Sequence, residues 1–273
     1  MRKRRVWHVR IIMIIITLVV IMPFLYIVLN SFKQGQSMYN TTILPRSFTL
    51  NHYRGLFRNT SFVLWIRNST IMGLSAGLIA VLITVFGGYA FSRFKFPGKK
   101  YGILFLLIVQ MLPISVAMVA YFRMLQIFGL INTLTGIILI LGFGNSAIGI
   151  WLMRNYMNSI PVELDESAFL DGASKWKTFW RILFPLMIPM LVTQFIMTFI
   201  GVYNEYMLAA LLLFDPAKYP LGVGLKTFIA GNYSGNWATF SAASVLGSLP
   251  ILIVFYSLQR FIVQGLTKGA VKG

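Results

Sequence analysis

The run Ile11-Ile12-Met13-Ile14-Ile15-Ile16-Thr17-Leu18-Val19-Val20-Ile21-Met22-Pro23-Phe24-Leu25-Tyr26-Ile27-Val28-Leu29-Asn30-Ser31-Phe32 decides what kind of molecule this is. It carries no charge, and as a helix rising ~1.5 Å per residue it extends about 33 Å, enough to cross hydrocarbon about 30 Å thick. Five further apolar stretches follow, at 64–91, 102–125, 134–153, 184–210 and 238–263. The expected fold is therefore an all-α membrane protein with six transmembrane helices. Met1-Arg2-Lys3-Arg4-Arg5 ahead of the first run resembles the start of a signal peptide. The apolar stretch is too long for one, and no small-residue cleavage site follows, so it reads as a retained first helix.

Composition agrees. Of the 273 residues 58% are hydrophobic and 11% charged, with mean hydropathy +0.77, whereas a soluble domain carries roughly a quarter charged residues. The net charge of +18 would suggest nucleic acid in a soluble chain, but here the basic residues separate apolar runs, which is the membrane pattern and leaves no nucleic-acid partner to expect. There is no cysteine, so disulfides, thiolate metal sites and cysteine nucleophiles are excluded. His8 and His52 read as solvated or interfacial imidazoles, and no metal site is expected.

Loop charges orient the bundle. With both termini inside, sixteen of the 24 basic residues fall on the inner side and eight on the outer. Gly73-Leu74-Ser75-Ala76-Gly77 is a GxxxG step that lets a neighbouring helix approach closely, and Gly87-Gly88 repeats the thinning. Pro23, Pro113, Pro189 and Pro250 interrupt apolar segments, either as ordinary kinks or as pivots of a moving pore.

Four of the six acidic residues fall between 163 and 171, in the loop between the fourth and fifth runs: Glu163, Asp165, Glu166 and Asp171. Pro161 suits a first helical turn, the acids follow where the peptide dipole favours them, and Lys175, Lys177 and Arg181 come later. Gly172 can take the left-handed conformation that ends one helix and lets another begin at Ser174. Leu164, Ser167 and Ala168 share a face by the i, i+3, i+4 rule, the shape of a small helix that sits in another protein's groove.

Glu166-Ser167-Ala168-Phe169-Leu170-Asp171-Gly172-Ala173, with Ile182 and Pro185 ten and thirteen residues beyond Gly172, resembles the EAA motif of binding-protein-dependent ABC importer permeases. Ser167 stands where the family usually has alanine, and Phe184 where it has leucine. The resemblance implies the type I importer permease fold, one transmembrane permease domain over 1–273, and a cytoplasmic coupling helix within an EAA loop at about 158–182. Glu166, Ser167, Ala168, Asp171 and Gly172 would form the coupling site: Glu166 a polar contact to the ATPase, Ser167 and Ala168 permitting close approach, Gly172 the turn.

Further segments resemble the carbohydrate-importing branch: Leu44-Pro45-Arg46-Ser47-Phe48-Thr49-Leu50-Asn51-His52-Tyr53, Tyr89-Ala90-Phe91-Ser92-Arg93-Phe94-Lys95-Phe96-Pro97-Gly98, and Gly129-Leu130-Ile131-Asn132-Thr133. The ending from Gln259 resembles the six-helix, maltose-type permease subunit, whose tail reaches into the ATPase dimer. The cytoplasmic tail at about 264–273 would do so here, or is a frayed basic end. The implied partners are a second related permease, a dimer of ATP-binding subunits, a solute-binding protein and membrane lipid, in a prokaryotic plasma membrane. No G-x-x-x-x-G-K-[ST] sequence occurs, so ATP and Mg belong to the partner ATPase and this chain binds no cofactor. No nucleophile–base pair stands out, and the chain reads as a transport subunit rather than an enzyme.

For the substrate path, Gln194, Thr198, Gly201 and Glu205 follow at helical spacing on one face of the fifth helix, with Asn204 on its shoulder. Amides and hydroxyls suit a polyhydroxylated solute, and Glu205 reads alternatively as a helix-end hydrogen bond. Asn232, Tyr233 and Ser234, in an outer loop rich in glycine and small polar residues, are expected to meet the binding protein or to form a plain connector. The expected substrate is maltose, maltodextrin or another oligosaccharide, by resemblance alone. Two other classes remain open. An ion-coupled secondary transporter or channel needs carboxylates or histidines at mid-membrane, where only Glu205 is available. A non-transporting membrane assembly predicts no substrate-stimulated ATP hydrolysis.

Overall fold

A computed structural model describes residues 2–35, 45, 47–230 and 235–270, with side chains for 7–35, 45, 47–230 and 235–262. The helices are α1 (Arg2–Ser31), α2 (Asn51–Asn59), α3 (Phe62–Arg93), α4 (Lys99–Met111), α5 (Ile114–Ile127), α6 (Leu134–Asn158), α7 (Glu163–Leu170) and α8 (Lys175–Thr178). A π-helical turn, Phe179–Leu183, joins α8 to α9 (Phe184–Tyr203). Then come α10 (Met207–Leu212), α11 (Leu221–Lys226), α12 (Trp237–Gly247) and α13 (Leu249–Ala270).

Five stretches are long and apolar enough to cross a membrane: Trp7–Ser31, Phe62–Arg93, Leu134–Asn158, Lys175–Tyr203 and Trp237–Ile262. The third expected span is different. Instead of one helix over 102–125, α4 and α5 meet at 99°. Pro113 lacks an N–H and pushes the residue before it out of the helical region, so Leu112 is extended at ψ 122°. Arms of 13 and 14 residues reach about 20 Å each, short of the ~30 Å layer. The other prolines behave differently: Pro23 and Pro189 lie within continuous helices, and Pro250 follows the α12–α13 joint. The fifth expected span also stops early. The chain leaves the helix after Tyr203 and re-enters one at Met207, so 184–210 is not a single element.

The chain forms two contact units, 1–65 with 223–249, and 66–222 with 250–273. In the first, the last turns of α1 lie on α12, where Asn30 Nδ2 donates to Ser241 Oγ at 2.8 Å and to Trp237 O at 3.3 Å. His52 bridges Thr239 Oγ1 and the Lys33 carbonyl, at 2.9 and 3.0 Å. Upstream, α1 is open apolar surface, as a lipid-facing helix should be; Phe24 is 65% exposed.

In the second unit, glycines set the helix spacing. The GxxxG step faces α9: a Cβ on Gly73 would come within 2.8 Å of the Phe199 ring, and one on Gly77 within 2.9 Å of Phe195. Gly87 and Gly88 receive Ile150 and Met153 of α6. Lipid tails are as apolar as these side chains, so close van der Waals packing supplies the association where hydrophobic exclusion cannot. The core of this unit gathers Val85 of α3, Met153 and Met157 of α6, Phe179 and Leu183 of the π turn, and Met187 and Leu191 of α9.

Candidate coupling and translocation site

The acidic loop folds around α7. Glu163, Asp165 and Glu166 occupy its first turn, beside the unpaired N–H groups of the helix start. At the far end Gly172 has φ +77°, the Ala173 N–H donates to Ala168 O at 2.9 Å, and the Gly172 N–H to Phe169 O at 3.0 Å. These two bonds are a Schellman closure, which requires a left-handed residue and therefore favours glycine. Ser174 then caps α8 through a bond from the Lys177 N–H, at 3.3 Å. The helix begins at Glu163, two residues later than a first-turn Pro161 implies.

A single ion pair orients α7. Arg93, the last residue of α3, places Nε 2.7 Å from Asp165 Oδ2, with both side chains about nine-tenths buried. Its other nitrogens donate to Met157 O at 3.2 Å and Ile160 O at 3.0 Å, carbonyls at the end of α6. One guanidinium thus holds α3, the end of α6 and α7. Asp165 faces inward, and Ala168, one turn on, follows it and is 5% exposed. This corrects the expected docking face: Ala168 packs against its own chain, where its small size lets α7 approach. The outward side carries Glu166, Ser167 and Leu170, the last 89% exposed, with Asp171 exposed beside them. The π turn downstream of α7 buries Phe179 and Leu183 among Met153 and Met157, so the segment that follows α7 is packed on α6, while Arg93 ties α7 itself to the end of α6.

The polar stripe of the fifth span divides. Gln194 and Thr198 are buried: Gln194 Nε2 donates to Asn145 O of α6 at 3.1 Å and to Thr198 Oγ1 at 3.3 Å, over Gly149. Gly201 and Asn204 are exposed. Glu205 lies past the end of α9, and its carboxylate accepts from the Leu208 N–H at 2.7 Å, capping α10. The expected single face is therefore not continuous, because α9 ends at Tyr203 and α6 covers its middle turns. The helix-end reading of Glu205 holds, which leaves an ion-coupled carrier without its mid-span carboxylate.

Sequence reasoning missed a polar group beside the α4–α5 bend. Gln110, Tyr121 and Asn145 line one groove there, continuous with a larger cavity of about 590 Å³ against α6. Gln110 Nε2 also donates to Gly144 O. The available signal was Pro113 following Gln110 by three residues within an otherwise apolar run. Arg93 was likewise passed over, as one of several loop cations. Asn232, Tyr233 and Ser234 lie outside the described residues, as do 271–273 of the tail; α13 continues to Ala270.

Comparison with known proteins gives the same picture. The family described as binding-protein-dependent transport system inner membrane component matches residues 80–268. The galactooligosaccharides transport system permease protein GanQ of Bacillus subtilis (strain 168) is 35% identical, over 93% of this chain and 91% of that protein. The maltodextrin transport system permease protein MdxG of the same organism is 33% identical, over 95% and 93%. A chain of a bacterial ABC transporter involved in the import of the acidic polysaccharide alginate superposes with TM-score 0.80 at 25% identity, over 95% of this chain and 98% of that one. A glycine-spaced bundle, a bent third span and a tethered acidic loop thus belong together: this chain is a member of the binding-protein-dependent transport family, a multi-pass permease subunit of an ABC importer and not itself an enzyme.

Proposed function

We propose that the chain forms half of the translocation path for a neutral oligosaccharide of the maltodextrin or galactooligosaccharide type. A second, related permease supplies the other half. A dimer of ATP-binding subunits, which uses ATP and Mg, drives it, and a solute-binding protein delivers the sugar. Both termini and α7 face the cytoplasm in this reading, and Glu166, Ser167, Leu170 and Asp171 are the face offered to the ATPase. The substrate is named by analogy with the relatives.

The observation that carries the reading is the groove at the bend. Asn145 lies about 20 Å from the α7 end of α6, near the middle of a ~30 Å layer. Its amide, that of Gln110 and the Tyr121 hydroxyl combine donors and acceptors with an aromatic face, the chemistry a polyhydroxylated ring needs. The adjoining 590 Å³ lies within the ~300–1,000 Å³ typical of ligand sites. Gly201 and Asn204 continue the path where α9 emerges from behind α6.

The test is uptake by the complete transporter in proteoliposomes. Asn145→Leu and Tyr121→Ala should each lower oligosaccharide transport about tenfold, the effect of losing one or two substrate hydrogen bonds, while binding-protein-stimulated ATP hydrolysis persists. Unchanged transport in both variants refutes this path. Failure of both hydrolysis and transport would instead point to misassembly, which size-exclusion of the complex reads directly.

A further inference from the structure

A second cavity opens at the α7 end of the bundle, of about 290 Å³, walled by Phe86, Tyr89, Ala90 and Phe94 on one side and Trp176 and Phe179 on the other. Its rings are in mutual contact: Tyr89 and Phe179 at 4.7 Å between centroids, Tyr89 and Phe94 at 5.3 Å, Phe86 and Phe179 at 5.9 Å. Lys175 closes the mouth, with Nζ 5.8 Å above the Phe94 ring. We propose that this groove binds one acyl chain of an anionic phospholipid, whose phosphate sits on Lys175.

Three observations support this occupant. First, depth: Phe86 precedes Arg93 by seven residues, so the groove runs about 10 Å up a membrane-spanning helix from its end. α3 has 32 residues, about 48 Å against a ~30 Å layer, so this stretch of it lies around the inner boundary, where a headgroup and the first part of its acyl chain are found. Second, composition: the walls are aromatic and alanine, and Trp176 and Trp180 beside them are exposed, the residue type that favours a membrane boundary. Third, charge: among the described residues Lys175 makes no ion pair, and the one buried carboxylate of α7, Asp165, is paired with Arg93. Lys177 and Arg181 are exposed on the same segment, so a net-negative headgroup is favoured over a zwitterionic one. The position next to the π turn places the bound lipid against the segment that links α7 to the spans. The inference rests on the membrane-spanning fold and not on the sugar.

The complete transporter in nanodiscs, doped with phosphatidylglycerol bearing a photoactivatable group in its acyl chain, tests this. Peptide mapping should place adducts on the 86–94 segment. Lys175→Gln should reduce them about fivefold, Lys175→Arg should retain them, and Lys177→Gln, which removes a more distant charge, should reduce them by less than about twofold. Ala90→Trp, which fills the groove and keeps the charge, should abolish them. Equal labelling by an equivalent phosphatidylcholine, labelling that survives both Lys175→Gln and Ala90→Trp, or a disulfide-length cross-link from Ala90→Cys to another subunit would each overturn the proposal; the chain has no native cysteine to confuse the last.

Discussion

Replacing Asp165 by Asn removes one charge from the joint that holds α7 and changes little else in shape. The pair is 2.7 Å apart and both side chains are about nine-tenths buried, so Arg93 is left as a buried cation with no counter-ion. Breaking a buried pair from one side costs about 3–5 kcal/mol. Arg93 keeps its bonds to Met157 O and Ile160 O, which places the expected loss near ~3 kcal/mol, or roughly a hundredfold in the population of the seated helix. An eight-residue helix cannot persist alone in water, so the loss appears as local opening. Hydrogen exchange of the 163–173 amides in the purified transporter reads it: Asp165→Asn should exchange about a hundred times faster there, and transport per ATP hydrolysed should fall with it. The pair Arg93→Met with Asp165→Leu leaves no orphaned charge and should recover protection to within about tenfold of the native chain. Native exchange in the single variant, or no recovery in the double one, refutes the argument that this ion pair seats α7.

Gly172→Val forces a β-branched residue to φ +77° and should destabilise the loop by ~2 kcal/mol, seen as reduced binding-protein-stimulated ATP hydrolysis; Gly172→Asn should retain most of it. Gly88→Leu drives a side chain into Met153 and the adjoining backbone and should lower stability by about 1–3 kcal/mol, measured as a lower unfolding temperature in detergent; Gly88→Ala should already destabilise, because its Cβ meets the root of the Met153 side chain, which no rotamer change moves away. Leu170→Asp on the outward face of α7 should leave the chain's own stability unchanged, since the side chain is 89% exposed, while weakening co-purification of the ATPase.

Much of the bundle follows from local pattern. The runs at 11–32, 64–91 and 134–153 are helices because length and hydropathy are properties of the segment itself. Gly73, Gly77 and Gly172 act as their spacing implied, since close approach and left-handed turns are things only glycine does cheaply. What did not follow depends on direction or on distant partners. Hydropathy is as high after Pro113 as before it, so a 99° turn is invisible to it. The stripe from Gln194 to Glu205 has helical spacing, but periodicity cannot show that the helix stops at Tyr203. The inward turn of Ala168 is set by Arg93, far away in sequence, and no local rule contains it.

The three-way grip of Arg93 also has a consequence in time. Asp165 leaves the ribosome roughly seventy residues after Arg93, which at ~5–20 residues per second is a delay of several seconds. For most of that interval α3 is made and its terminal guanidinium has none of its three partners; the Met157 and Ile160 carbonyls come only a few residues before Asp165. The joint therefore closes late, and only on a nascent chain that has reached the acidic loop. A chain that stalls or is cut before that point presents a bare cation at the end of its second span, a mark of incompleteness that the finished permease does not carry.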